Sequence, residues 1–366
     1  MSLPYTKSET KEYFREVFGG GGFETVFTPS YDPFTLELDE KGIRHDIQHM
    51  AKIRKLKGFL LAPFCGSVEE FKEIMRIVGD EAHKQKLSGA VCIEPCVSPP
   101  NPWIGDSAAS LKAVVDLIKY WEECGGESVF GLMPGNFYPE TEEDIYKHIK
   151  RVADQIEMGI NIQIHSHHMH YFQNLNPPEW ISTKTLVKMA DIPQVFALKI
   201  GTAPLTPEGS YVKDVEIFKY LGKKILCYQP RETHWPVMIQ FYGQDCFMGH
   251  WLPTLMQTPD YTPLADYTEL ALNGDMEKAW EIYWSLHDIR SLMDHLWAPP
   301  MGIGIYPVAH LKYWEGLVGM TGGPLKLRPT PHLHAHEKEQ IKTIIKKHGI
   351  LKASPERIKY LDKVCT

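Results

Sequence analysis

The sequence predicts a (β/α)8 barrel with a short N-terminal helix and a C-terminal helical extension. Three observations predict it. First, short β-branched or apolar runs alternate eight times with longer helical segments, and the runs start roughly 30 residues apart, the length of one strand–helix unit. Second, the turn after the first run reads PSYDPF (29–34) rather than GxGxxG, and the only nearby glycine cluster, Gly19–Gly22, precedes that run. An open dinucleotide-binding sheet needs the glycine turn after its first strand, so the closed barrel is favoured. Third, 366 residues with 43% apolar and 23% charged content suffice for one large core without staples.

Along the chain, the first ~18 residues read as an amphipathic helix capped by Thr6 or Ser8 and ended by Gly19–Gly22. The strands are read as 23–28 (FETVFT), 58–64 (GFLLAPF), 89–95 (GAVCIEP), 128–134 (SVFGLMP), 161–166 (NIQIHS), 195–201 (VFALKIG), 224–229 (KILCYQ) and 246–251 (CFMGHW). Ser67 with Glu70 has capping-box spacing, and Glu142, Glu143 and Asp144 put acids in a first turn after Thr141. Further helices are expected near 260–272, 275–296, 306–318 and 335–348. The division is an N-terminal segment (1–22), the barrel (23–258), and the last barrel helix with the extension (259–366).

A net charge of −7 without a basic block argues against nucleic-acid binding. No run of ~18 apolar residues is available to span a membrane, and the first residues have no signal-peptide core. Seven cysteines without a CxxC are read as free thiols. These readings place the protein in the cytoplasm.

Barrel chemistry sits at the C-terminal ends of strands. Lys199 stands there, in the otherwise apolar VFALKIG strand. Burial lowers a lysine pKa, and a neutral amine is what attack on a carbonyl requires. The alternative is a structural lysine bridging to a carboxylate on a neighbouring strand, such as Glu94.

Four segments carry a resemblance. They are Thr28-Pro29 followed by LDEKG (38–42), IPQVFALK (192–199), NGDMEKA (273–279) and GGPLKLRP (322–329). In that order, over roughly residues 23–351, the chain resembles the dihydrodipicolinate synthase / N-acetylneuraminate lyase family. The resemblance implies a lyase, usually a homotetramer, that binds a 2-oxo acid as an imine without an added cofactor. It implies Lys199 as the nucleophile. His165 stands where most of the family has a proton-shuttling tyrosine, and a histidine can do that work near neutrality. The family's carboxylate-binding loop corresponds to PFCGS (63–67), so Cys65, Gly66 and Ser67 are candidate substrate contacts, at the start of a helix that favours anions. Asn136 and Tyr138 match a second family loop, and His167 is a further candidate. Arg231, after the seventh strand, suits a substrate carboxylate or a surface ion pair. The substituted loops point away from the dihydrodipicolinate synthase reaction itself. The aromatic segment with Tyr171, Phe172 and Trp180 points to a bulky or aromatic partner for the carbonyl compound.

Two other readings compete. His165 and His167 share a strand face, a metal-ligand spacing, which would make the barrel a metal-dependent hydrolase with Glu94, His234 or His250 completing the site. A non-catalytic binder of carbonyl compounds is the other. The leading reading assigns no metal, and it expects a homo-oligomer, a dimer or a tetramer. The HLHAH segment (332–336) reads as a surface cap, and Tyr306, Tyr313, Trp314 and Leu317 as packing against the barrel.

Overall fold

The computed structural model describes residues 2–93, 107–132, 141–165, 181–201, 207–302, 307–324 and 332–365. Eight strands run in parallel: β1 (Gly22–Phe27), β2 (Leu56–Leu61), β3 (Ser88–Ile93), β4 (Ser128–Gly131), β5 (Gly159–His165), β6 (Val195–Gly201), β7 (Leu226–Tyr228) and β8 (Cys246–His250). Their order is β7-β6-β5-β4-β3-β2-β1-β8, so β7 and β8 meet at the seam of a nearly closed barrel. Helix α1 (Thr10–Phe18) precedes β1. Helices α2 (Glu40–Met50), α3 (Val68–Gln85), α4 (Ser107–Glu123), α5 (Glu142–Ala153), α6 (Thr183–Ala190), α7 (Pro207–Leu221) and α8 (Trp235–Tyr242) form the crossovers. After β8 come α9 (Leu252–Leu255), α10 (Pro263–Leu272), α11 (Met276–Ser285), α12 (His287–Gly302), α13 (Val308–Leu317), α14 (Ala335–Lys347) and α15 (Pro355–Val364).

The (β/α)8 expectation and the C-terminal helical extension are met, with local corrections. Neither Thr6 nor Ser8 caps α1. The Thr6 hydroxyl instead bonds the Glu9 carboxylate at 2.6 Å, and Glu9 stands at the cap without a side-chain bond to the helix. The expected helix over 275–296 is two helices, broken at Leu286. The helix α15 was not anticipated, although Ser354 at its cap, bonded by the Arg357 N–H at 3.2 Å, and Pro355 in its first turn are ordinary start signals. At α5 the acids do more than sit in a first turn. Asp144 accepts the Thr141 N–H at 3.0 Å while the Thr141 hydroxyl accepts the Asp144 N–H at 3.3 Å, a complete capping box. His332, His334 and His336 are exposed, and Tyr313, Trp314 and Leu317 are buried, as expected; Tyr306 lies outside the described residues.

The seam between β7 and β8 is closed by a side chain. Buried Gln244 presents its carboxamide where a neighbouring peptide would lie. It accepts the Gln229 N–H at 2.9 Å and donates to the carbonyls of Gln229 at 3.3 Å and Cys246 at 3.1 Å. A primary amide has the same donor and acceptor as a peptide, so it can satisfy strand-edge groups that pairing leaves open.

The barrel axis is filled by Leu226, Tyr228, Cys246 and Met248 with Phe196 and Ala197. At the N-terminal end α1 closes it. Phe14 stacks on Phe196 at 3.7 Å between ring centroids, and the Tyr5 hydroxyl accepts the Gly159 N–H at 2.7 Å. Gly159 is required there, since a Cβ would lie 2.5 Å from the Phe14 ring. On the outside, Glu232 and Arg290 form a buried bidentate ion pair that ties the segment after β7 to α12. Among the described residues no helix is long and apolar enough to cross a membrane.

Candidate active site

Lys199 is the fifth residue of β6 and sits in a register that carries polar side chains. Its Cα partners are Gln163 on β5 and Tyr228 on β7. Parallel neighbours in register leave the sheet on the same face, so these three share one wall. Lys199 is half-buried; its Nζ donates to the Gly249 carbonyl at 2.8 Å and lies 5.2 Å from the centroid of the Phe130 ring. The backbone of Gly249 has φ +65°, and a Cβ there would meet Lys199 Nζ at 3.2 Å and Cδ at 3.3 Å. A glycine therefore lets β8 come close enough to take the amine.

Glu24 on β1 faces the same corner. It is 1% exposed. Burial pushes its carboxyl up to about 8, against the opposing pull of the Lys199 ammonium and a backbone hydrogen bond from Gly249. His250 follows Gly249. Its Nδ1 accepts the Leu252 N–H at 3.1 Å, which leaves the proton of the neutral ring on Nε2. Burial, with the positive charges of Lys199 and Arg231, pushes this imidazole down to about 3. Beneath Lys199, the Asn161 carboxamide donates to the Tyr228 hydroxyl at 2.8 Å.

The other expected residues are placed as follows. The backbone of His165 ends β5 opposite Gly201, two residues beyond Lys199. Its side chain lies outside the described residues, as do His167, Asn136, Tyr138 and Glu94. Cys65, Gly66 and Ser67 follow β2, and their polar groups are engaged within the chain. The Cys65 thiol contacts the Ser67 carbonyl at 3.6 Å, the Gly66 N–H donates to Glu70 Oε2 at 2.5 Å, and the Ser67 hydroxyl accepts the Glu70 N–H at 3.1 Å. The Glu70 carboxylate thus already occupies the start of α3, where an anion was expected. Arg231 is exposed, and its charge reaches His234, His250 and Asp294. His234 sits in a 3₁₀ turn, pushed down to about 4 by burial and by Arg231. Among the described residues no group of three His, Cys, Asp or Glu is arranged to hold a metal, and no disulfide joins any of Cys65, Cys92, Cys124, Cys227, Cys246 and Cys365.

Glu24, Gln163, Tyr228 and Gly249 were not singled out in the sequence. The signal for Glu24 and Gln163 is the one that marked Lys199: a polar residue inside an apolar strand. Nothing local marks Gly249 or Tyr228, because their roles depend on pairing across the barrel.

The fold defines a class: (β/α)8 barrels with a C-terminal helical extension, as in the solved dihydrodipicolinate synthases and N-acetylneuraminate lyases. Dihydrodipicolinate synthase from Aquifex aeolicus superposes with a TM-score of 0.67 at 16% identity, covering 92% of this chain and 100% of its own. The enzyme from Cyanidioschyzon merolae, with lysine bound, gives 0.68 at 14%, covering 91% and 99%. N-acetylneuraminate lyase from Mycoplasma synoviae gives 0.67 at 14%, covering 92% and 99%. At these identities the likeness establishes the shared fold. No family model matches the sequence, and no curated protein matches it.

Proposed function

We propose that this protein is a class I lyase of the dihydrodipicolinate synthase / N-acetylneuraminate lyase family, in which Lys199 forms an imine with a 2-oxo acid or related carbonyl compound. The observation that carries the reading is the placement of Lys199. It is a lysine in an apolar strand of the barrel wall, held by a peptide carbonyl and an aromatic face beside a buried carboxyl. The amine adds to the substrate carbonyl carbon, and the carbinolamine loses water to give the imine. The imine then accepts the electron pair released when a bond at the adjacent carbon breaks. His165 is the proposed proton carrier for these steps, and Arg231 the proposed partner of the substrate carboxylate. Cys65, Gly66, Ser67, Asn136, Tyr138 and His167 remain proposed substrate contacts. Aldol cleavage or dehydration with a bulky or aromatic partner fits the aromatic content of residues 166–180. A cytoplasmic homo-oligomer, a dimer or a tetramer, completes the proposal.

The test is borohydride trapping with pyruvate and a panel of larger 2-oxo acids, read by mass spectrometry of the peptide carrying Lys199. A reduced adduct on that lysine is expected, and its loss in Lys199→Ala. No adduct across the panel would sink imine formation.

A further inference from the structure

We propose that Glu24 is a positioning residue for Lys199: acting through the backbone on both sides of Gly249, it fixes where the amine points and biases its charge. The proposal deepens the reading of Lys199 as the imine-forming nucleophile and rests on it. Three observations carry it. Gly249 stands between the two side chains: its carbonyl accepts Lys199 Nζ at 2.8 Å, and Glu24 lies across from it where the β1–β8 register shifts between the Phe23–Phe247 and Thr25–His250 pairs, with a backbone hydrogen bond from Gly249 to its carboxyl. Gly249 itself has φ +65°, and a Cβ there would press on the lysine stem at 3.2–3.4 Å, so β8 turns in a glycine conformation where the two side chains meet it. And Glu24 is 1% exposed, with Oε2 lacking a hydrogen-bond partner among the described residues. A buried carboxyl with an unmet oxygen is costly where packing alone is needed.

The physical consequence is coupled titration. An ionised Glu24 favours the ammonium form of Lys199, which cannot attack a carbonyl. A protonated Glu24 still holds the Gly249 N–H and removes that bias. Burial favours the protonated form near neutrality. Among the described residues the other titratable groups facing the pair are Cys246 and His250 on β8 and Tyr228, the partner of Lys199 on β7, with the charge of Arg231 reaching His250. On β2 the partner of Glu24 is Gly58, which carries no charge.

The experiment measures how Lys199 reacts with acetic anhydride as pH is varied, by peptide mass spectrometry, in the wild type and in Glu24→Gln. The neutral amide keeps the shape of the protonated carboxyl. Its Lys199 midpoint should fall by about one pH unit, a tenfold loss of proton affinity. Coupling is reciprocal, so in Lys199→Met the carbon-13 carboxyl resonance of Glu24 should titrate at higher pH than in the wild type. This second variant decides the matter alone if Glu24→Gln does not fold. An unchanged Lys199 midpoint in folded Glu24→Gln, or an unchanged Glu24 titration in Lys199→Met, overturns the proposal. Acetylation reads the amine directly. Shifted midpoints without any borohydride-trapped adduct would therefore refute imine formation while leaving the Glu24–Lys199 coupling in place.

Discussion

At φ +65°, Gly249 holds a backbone conformation in which a side chain costs about 1–2 kcal/mol. The Cβ of an alanine would also press on the Lys199 stem at 3.2–3.4 Å. Gly249→Ala is therefore expected to lower stability by about that amount in urea melts and to slow trapping at Lys199 at least tenfold by displacing its Nζ. A slow variant with normal stability would mean that the close approach matters more than the backbone strain. At this scale the sequence was informative where a residue contradicts its surroundings. Lys199 in VFALKIG stands out because a charge in an apolar strand demands a reason. Glu24 in GFETVF carries the same contradiction, and only the fold shows that the two meet. Gly249 looks like any other glycine until β6 is placed beside it.

Strands and helices were legible to within a few residues because their signals are local: period, caps and breakers. The register that pairs Lys199 with Gln163 and Tyr228 is not local, and neither is the seam. Gln244 reads in sequence as an ordinary polar residue before β8. In the structure its carboxamide substitutes for the missing strand pairing between β7 and β8. Gln244→Leu keeps the volume and leaves the Gln229 N–H without that partner, while the Gln229 carbonyl keeps the Trp235 indole N–H at 2.9 Å. Each buried group left unmet costs about 1–3 kcal/mol. The expected result is a loss of that order in chemical denaturation, with faster hydrogen exchange at the Gln229 amide than at amides of β3 and β4. Equal exchange rates would mean that the seam is held by packing alone.

Across the whole molecule, buried titratable groups set how stability responds to pH. Burial raises the carboxyls of Glu24 to about 8 and Glu315 to about 7. Their contribution is fully present below the unfolded carboxylate value and is lost as pH rises through 7 and 8. Burial lowers His148 and His234 to about 4 and His250 to about 3. Their contribution is present above the unfolded imidazole value and is lost as pH falls through about 4. Stability should therefore peak between these windows, near pH 6–7. Thermal melts across pH 4–9 check this, and Glu24→Gln should flatten the alkaline side. A melting temperature still rising at pH 9 would contradict the assignment of the carboxyls.

The plug at the base of the barrel has a consequence for synthesis. Phe14 and the ring it stacks on, Phe196, leave the ribosome about 180 residues apart. At bacterial-type elongation rates that interval is roughly 10–40 s. Throughout it, Phe14 and Phe18 belong to a nascent helix with no barrel to close. Until β6 is made, the apolar face of that helix stays in water, so the order of synthesis leaves Phe14 and Phe18 uncovered for most of the time the barrel takes to be built.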